Sequence, residues 1–258
     1  MSTYLDSILS RHRAEAAADG RATADLVSRV ASMAPTRDFR SALTGPGLSV
    51  VAEVKRRSPS RGDLYPDLDP ARLAVDYAEG GASCLSVLTD GEGFGGGPDD
   101  LRSARAAVSL PVLRKDFTVS ANDVLDTRLM GADCVLLIVA ALDGGELEHY
   151  HGLAVEIGLS VLVEAHDEAE VARAVDVGAD MIGVNQRDLV TFEVDHERAV
   201  RVGGAIPAGV VKVAESGVRG PADAARLSDA GFHAVLVGES LVTAGDPTAA
   251  VRSLLGRG

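Results

Sequence analysis

The chain has 258 residues, of which 46% are hydrophobic, so it can form one large α/β domain or two small ones with a full core. A formal net charge of −13 argues against nucleic-acid binding, which needs a basic surface, but a locally positive site for a small anion is still compatible with it. The first twenty residues lack the apolar segment of a signal peptide, and the longest apolar run, 134–142, is too short to cross a membrane.

The cysteines and histidines indicate neither a disulfide nor a metal site. Cys84 and Cys134 lie in apolar runs without a CxxC spacing, which is typical of buried thiols in a reducing compartment, so we expect a cytoplasmic protein. The six histidines show no metal-binding spacing, and we predict no metal.

Lysine is rare in this chain. Of 25 basic residues only Lys55, Lys115 and Lys212 are lysines, and each lies in or at the end of an apolar, strand-like run. A buried ammonium can exchange protons near neutral pH, which makes Lys55 and Lys115 candidates for acid–base chemistry. For Lys212 the structural alternative is a buried ion pair with a carboxylate that faces the barrel.

Residues 1–47 are predicted to form a helical N-terminal extension. Tyr4, Leu5, Ile8 and Leu9 follow helical spacing, and a second helix is predicted over 24–33. Proline and glycine residues then interrupt the pattern before the first strand.

From residue 48 the chain alternates between apolar runs that predict strands and amphipathic runs that predict helices. The predicted strands are 49–55, 84–88, 112–115, 134–139, 160–164, 181–185, 210–214 and 234–237. The predicted helices are 70–80, 99–108, 121–130, 145–157, 167–177, 195–202, 221–230 and 247–255. Such alternation implies a parallel sheet buried on both faces.

Eight strand–helix units in this length predict a (β/α)8 TIM barrel over 48–258, so that 1–258 is a single TIM-barrel domain with a helical N-terminal extension. Gly81, Gly131, Gly178 and Gly231 each stand between a helix and a strand, at intervals of two units, which supports an internal repeat. A doubly wound open sheet is the alternative.

The first strand carries a carboxylate and an ammonium near its end. Because side chains alternate along a strand, Glu53 and Lys55 point to the same side and Val54 to the other. An ion pair that merely closes the strand would be the structural explanation, but other strands end in the same way.

In a barrel the working groups stand at the carboxyl ends of the strands. The polar residues at these ends are Glu53, Lys55, Ser58, Lys115, Asp116, Glu164, Asn185, Arg187, Asp188, Glu215, Ser216, Glu239 and Ser240.

Two glycine motifs on the last strands predict a phosphorylated small-molecule substrate. Ala214-Glu215-Ser216-Gly217 follows the seventh strand, and Val237-Gly238-Glu239-Ser240 follows the eighth. Loops at these two positions commonly bind phosphate in barrels through backbone N–H groups.

These motifs, in this order, resemble the indole-3-glycerol phosphate synthase family. The matching segments are 52–60, 86–90, 111–117, 135–138, 162–164, 183–189, 214–217 and 237–241. The resemblance implies closure of a ring in 1-(2-carboxyphenylamino)-1-deoxyribulose 5-phosphate, followed by loss of CO2 and water, without a cofactor. We also expect a protein that binds neither membrane nor nucleic acid and is a monomer or a weak homo-oligomer.

The resemblance also implies roles for individual residues. Lys115 matches the family's general acid, and Lys55, Glu53 and Glu164 form the set for dehydration, with the choice of general base left open. Asn185 and Arg187 match positions near the anthranilate carboxylate, and Glu215 and Ser216 match groups that orient sugar hydroxyls and catalytic side chains. The implied phosphate cradle is Ser58, Gly217, Gly238 and Glu239, and the implied apolar walls are Phe94, Phe117, Leu136 and Leu236.

The chain departs from the family pattern at three places. The loop 93–98, which contains Phe94, is unusually rich in glycine. Asn122 opens a segment where the family has an aromatic residue, and Gln186 stands where asparagine is common. The alternatives are a Schiff-base aldolase, which needs one nucleophilic lysine, a phosphoribosylanthranilate isomerase, which needs a Cys/Asp pair, and a catalytically silent subunit.

Overall fold

A computed structural model describes residues 4–188 and 193–257. Leu189, the last residue of the motif after the sixth strand, lies outside the described residues. Eight parallel strands form a closed barrel in which each strand pairs with its neighbours in sequence and β1 pairs with β8. The strands are β1 Ser49–Val54, β2 Cys84–Leu88, β3 Val112–Lys115, β4 Cys134–Ile138, β5 Ser160–Ala165, β6 Met181–Asn185, β7 Val211–Glu215 and β8 Ala234–Val237. The predicted TIM barrel is therefore confirmed, and the doubly wound alternative is wrong.

Helices surround the barrel. They are α1 Tyr4–Ala18, α2 Thr23–Val30, α3 Phe39–Ala42, α4 Pro70–Gly80, α5 Gly91–Phe94, α6 Pro98–Ala107, α7 Ala121–Leu129, α8 Gly144–Glu156, α9 Glu168–Asp176, α10 His196–Gly203, α11 Pro221–Asp229, α12 Glu239–Val242 and α13 Pro247–Leu254. A short antiparallel hairpin pairs Arg57–Ser58 with Gly62–Asp63, and a 3-10 turn spans Val139–Ala141. None of the described helices is long and apolar enough to cross a membrane.

The predicted boundaries agree with the structure within about three residues, and local chemistry explains most of the helix starts. Asp69, Ser120, Asp143, Asp167 and Asp246 each accept a backbone hydrogen bond at the start of a helix. The sequence pattern did not predict α3, α5, α12, the 3-10 turn or the hairpin that follows β1. These elements are too short to show the periodicity by which helices and strands are recognised.

The repeated glycines have a backbone role. Gly81, Gly131, Gly178 and Gly231 all have a positive φ, between 82° and 95°. This left-handed conformation ends a helix and directs the chain into the next strand at little cost only for glycine. The predicted internal repeat therefore reflects the same helix-to-strand turn at four places.

Strand register brings distant residues side by side at the carboxyl end of the barrel. Glu53 pairs with Ser86, Ile138 with Glu164, and Asn185 with Glu215. The interior below this rim is filled by aliphatic side chains, including fully buried Leu113, Leu136 and Leu162. The polar rim thus lies on a closed apolar core.

Candidate active site

A cavity of about 620 Å³ opens at the carboxyl end of the barrel. This volume suits a drug-sized ligand. Every predicted site residue lines it: Glu53, Lys55, Ser58, Phe94, Lys115, Phe117, Leu136, Glu164, Asn185, Arg187, Glu215, Ser216, Gly217, Leu236, Gly238 and Glu239. The strand ends therefore meet around one cavity, while the individual roles of these residues stay predictions.

Lys115, the last residue of β3, lies between two buried carboxylates. Its Nζ is 2.9 Å from Glu164 Oε2 and 3.1 Å from Glu215 Oε2. Burial alone would lower the pKa of this ammonium, but the neighbouring carboxylates, Glu164 first and Glu53 with it, raise it above its usual value. Lys115 is thus a protonated donor at neutral pH, held at the wall of the cavity.

Glu164 is the ionised partner of this lysine. Its Oε2 accepts a hydrogen bond from Lys115, and its Oε1 accepts one of 3.1 Å from Asn185 Nδ2. Burial would raise the pKa of Glu164, but the Lys115 ammonium and then the His166 side chain lower it. The carboxylate therefore stays charged although its side chain is only 2% exposed.

Glu215 has the opposite character. Burial, and further the charge of Glu164, raise its pKa to about 8 although Lys115 acts in the other direction. Neither of its side-chain oxygens has a hydrogen bond of good geometry within the described part of the chain. Gly183 on β6 makes room for it, because a Cβ there would overlap Glu215 Oε1. At neutral pH Glu215 is therefore a protonated carboxyl beside the ionised carboxylate of Glu164.

Glu53 and Lys55 form a second ion pair across the cavity floor. Lys55 Nζ lies 2.7 Å from Glu53 Oε1, so the predicted orientation of the two side chains is confirmed. Ser86 Oγ is 3.5 Å from the other oxygen of Glu53. Gly238 lies against this pair, and a Cβ at that position would collide with both side chains. The glycine of the last motif therefore also serves packing, and not only the predicted phosphate site.

The ends of β6 and β7 are joined by polar contacts. The Arg187 backbone N–H donates to Asn185 Oδ1 at 3.0 Å, and Gln186 Nε2 donates to the carbonyl of Ser216 at 2.7 Å. Gln186, a departure from the family pattern, therefore supports the loop after β7. Ser216 is the single non-glycine residue with positive φ, 63°, in the described chain. Strained backbone of this kind is concentrated at functional sites.

The predicted phosphate side of the cavity is lined by Ser58, Gly217, Gly238 and Glu239. Ser58 Oγ is buried and has no hydrogen-bond partner among the described residues. A buried hydroxyl normally has a partner, so this atom is available for a ligand. Arg61, which the sequence analysis did not single out, also lines the cavity and lies 3.2 Å from Glu239 Oε1.

Helix α1 closes the apolar side of the cavity. The rings of Phe94 and Phe117 are 6.4 Å apart, so the glycine-rich loop does place Phe94 at the wall. Tyr4, Leu5 and Ile8 also line the cavity, which the sequence analysis missed although it recognised their helical spacing. The spacing predicts a buried face but not the partner against which it packs.

A charged cluster anchors α1 beside this wall. His12, Asp90 and Asp116 bring potential metal ligands within 4.8 Å of one another. However, Arg11 and His12 both donate to Asp90, and Arg114 donates to Asp116. Hydrogen-bond donors thus already occupy these carboxylates, and the cluster is an ion-pair network between α1 and the ends of β2 and β3.

Comparison with known proteins identifies close relatives over the whole length. The sequence profile described as indole-3-glycerol phosphate synthase matches residues 5–254. An indole-3-glycerol phosphate synthase from Nocardioides sp. is 51% identical over 256 residues, with 98% of each chain covered. Indole-3-glycerol phosphate synthase 1 from Streptomyces coelicolor is 52% identical over 258 residues, with 99% of this chain and 96% of the relative covered.

Solved structures with lower sequence identity share the fold. A thiamine phosphate pyrophosphorylase from Pyrococcus furiosus superposes with a TM-score of 0.61 at 17% identity, covering 80% of this chain and 93% of that one. An N-acetylmannosamine-6-phosphate 2-epimerase from Clostridium perfringens gives 0.61 at 12% identity, covering 81% and 93%. At such identities the likeness concerns the barrel alone.

Proposed function

The chain belongs to the indole-3-glycerol phosphate synthase family, and from this premise we propose how its residues divide the reaction. The enzyme is a carboxy-lyase of tryptophan biosynthesis that acts on a small phosphorylated substrate. It converts 1-(2-carboxyphenylamino)-1-deoxyribulose 5-phosphate into indole-3-glycerol phosphate, CO2 and water. One carbon–carbon bond forms, and a carbon–carbon and a carbon–oxygen bond break.

Ring closure is assigned to Lys115. The ring carbon that carries the carboxylate attacks the ketone, and negative charge develops on the ketone oxygen. Lys115 gives that oxygen a proton, since ionised Glu164 at 2.9 Å holds it as an ammonium, with the Glu215 carboxyl 3.1 Å away on its other side. This placement of a charged lysine between two buried carboxyls is the observation that carries the proposal. Loss of CO2 then returns the electron pair to the ring.

Dehydration is assigned to the pair on the first strand together with Glu164. The hydroxyl formed from the ketone leaves with a proton, and the neighbouring carbon loses a proton. Lys55 can supply the first proton and an ionised carboxylate, Glu53 or Glu164, can accept the second, because these groups face the same cavity. Glu215 is the unsuitable base of the three at neutral pH, since its raised pKa of about 8 keeps it protonated.

Binding is divided among the three sides of the cavity. Arg187 and Asn185 take the anthranilate carboxylate, and Ser216 orients the sugar hydroxyls. Phe94, Phe117, Leu136 and Leu236 enclose the aromatic ring, and Ser58, Gly217, Gly238 and the backbone N–H of Glu239 hold the phosphate. No cofactor is invoked, because the ring nitrogen and the ketone of the substrate supply the reactivity.

The assignment of Lys115 is tested by adding the carboxyphenylamino-deoxyribulose phosphate to purified protein and following indole absorbance and fluorescence. The wild type should form product, and Lys115→Met should lose about 100-fold or more in kcat, the usual contribution of a positioned acid. Lys212→Met is the matched control, since this lysine also lies on a strand but does not line the cavity. It should retain kcat.

Other outcomes would distinguish the alternatives. Equal activity of Lys115→Met and the wild type would overturn the role of the acid. Trapping of a substrate adduct by borohydride would favour Schiff-base chemistry on a lysine. A wild type that binds phosphate ligands but forms no product would favour the silent subunit.

We further propose that the chain acts as a single domain, as a monomer or weak homo-oligomer, in the cytoplasm. One hydrophobic cluster joins Phe39 and Leu43 of the extension to the barrel core, which supports a single domain. The exposed large hydrophobic side chains come from separate elements, with Tyr4 on α1 and Val200 on α10, which supports weak self-association. The free thiols of Cys84 and Cys134 suit a reducing compartment.

A further inference from the structure

His166 lies directly after β5, behind the carboxylate of Glu164. Its Nδ1 is 3.0 Å from Glu170 Oε2 on α9, and its backbone N–H donates to the same oxygen at 2.7 Å. Its Nε2 is 3.5 Å from Glu164 Oε1. This nitrogen is buried and has no hydrogen bond of good geometry within the described residues. The imidazole thus bridges a helix carboxylate and the carboxylate that pairs with Lys115.

The two contacts favour the charged form of the ring. A neutral imidazole has one N–H and one lone pair, so it can donate to Glu170 or Glu164 but turns its lone pair toward the other. An imidazolium donates to both. Burial acts to lower the pKa of His166, but the hydrogen bond that the ring donates to Glu170 and the charges of Glu164 and Glu170 raise it, and Glu215 acts in the same direction once it is ionised. These are the groups that face it from β5, α9 and β7.

With the ring charged, Glu164 has a cation on each side. Lys115 lies on the cavity side and contacts Oε2, whereas His166 lies on the wall side and faces Oε1 beside Asn185. When Lys115 gives its proton to the substrate, the cavity-side charge disappears. The wall-side charge of a protonated His166 remains, because this residue does not line the cavity.

We propose that His166 is a positioning residue of this reaction, which, as an imidazolium supported by Glu170, keeps Glu164 ionised and directed at Lys115 throughout the proton transfer. The inference rests on the proposed function, since it deepens the role of the Lys115–Glu164 pair. It accounts for a buried nitrogen that the mechanism otherwise leaves unused. It also predicts a functional link between α9, outside the barrel, and the acid on β3.

Kinetics of His166→Gln test the role of the charge. The glutamine amide can still donate to Glu164 but carries no charge, so we expect kcat to fall about tenfold or more with KM changed less than about twofold. The acid limb of the kcat/KM profile should move to higher pH, because Glu164 without its second cation is protonated more easily. A purely structural histidine would lower the melting temperature and leave the pH profile unmoved.

Glu170→Gln tests the support of the histidine without touching the ring. The pKa of His166 should fall in this variant, and the acid limb should shift in the same direction as in His166→Gln. Proton NMR of the histidine rings follows this directly, with the His166 signal identified by its loss in His166→Gln. His149→Gln, on the exposed side of α8, is the control and should match the wild type in rate and pH profile.

The two proposals fail in different ways. An active wild type in which His166 titrates at or below the ordinary histidine pKa of about 6.5 would overturn this inference alone. So would a His166→Gln enzyme with the wild-type kcat and pH profile. A wild type without synthase activity, with His166 still titrating high, would overturn the assignment of roles in the reaction and with it the catalytic part of this inference.

Discussion

The contrast between Glu164 and Glu215 shows how neighbouring atoms decide the behaviour of a single residue type. Both carboxyls are buried and both contact Lys115. Glu164 accepts hydrogen bonds from Lys115 and Asn185, whereas Glu215 has no hydrogen bond of good geometry among the described residues. Their pKa values therefore move in opposite directions. A pair of titratable groups separated in this way is a common basis for assigning acid and base roles.

At the residue scale, Glu215→Gln should change the pH dependence of stability. The folded-state pKa of about 8 lies above the unfolded value, so the folded protein keeps a proton that the unfolded chain releases. Stability should therefore fall as pH rises from about 5 to 8, by up to about 1.4 kcal/mol per pH unit from this group. Glu215→Gln should not show this fall in stability, because glutamine does not titrate.

Thermal unfolding of the wild type and Glu215→Gln at pH 5, 6, 7 and 8 measures the effect. The difference in melting temperature should move in favour of the variant with every step upward in pH. A difference that stays constant over this range would show that Glu215 is ionised in the folded protein. His149→Gln, which changes an exposed titratable residue, is the control.

Lys212 illustrates how a strand residue can serve a neighbouring helix. Its place on an apolar strand is compatible with a buried ion pair, but its Nζ instead donates a hydrogen bond of 2.7 Å to the carbonyl of Gly203, the last residue of α10. The terminal carbonyls of a helix lack partners within the helix, and they carry partial negative charge. Lys212 thus stabilises the end of α10 against the outside of β7.

At the element scale, Lys212→Met should therefore destabilise the protein without impairing catalysis. Loss of a charged hydrogen bond to a buried carbonyl costs about 1–3 kcal/mol. Urea unfolding should show a lower midpoint with an unchanged slope, and kcat should equal that of the wild type. An unchanged midpoint would mean that water or another donor replaces the ammonium.

The role of the N-terminal extension is the hardest to predict from its own sequence. Arg11 and His12 of α1 contact Asp90, and Asn122 of α7 donates to Asp19 at 2.8 Å while it accepts from Thr23 at 2.9 Å. Asn122, which departs from the family pattern, therefore helps to hold the extension on the barrel. This docking is what brings Tyr4 and Ile8 to the cavity.

At the scale of the whole molecule, the aliphatic core determines how the two thiols behave. Cys84 and Cys134 begin β2 and β4 and are fully buried. Burial raises the pKa of both thiols above the usual value, so little reactive thiolate forms near neutral pH. Neither cysteine stands at the carboxyl end of a strand, as the isomerase alternative would need.

The folded protein should therefore react with an aromatic disulfide reagent only through unfolding. In denaturant both thiols should react. In native buffer, over the same time, we expect less than about one tenth of the thiol to react. The rate in native buffer should rise with added urea, since it follows the population of open molecules. Rapid modification of one thiol in native buffer would contradict full burial.

The sequence by itself determined the order of strands and helices, the closed barrel and the set of rim residues. Local periodicity and capping define each element, and parallel strands bring all of their carboxyl ends to one face. Only the tertiary structure decided that Lys115 lies between Glu164 and Glu215, that His166 faces Glu164, and that α1 closes the cavity. These facts depend on distances between strands far apart in sequence, and on burial, which sets the strength of each charge.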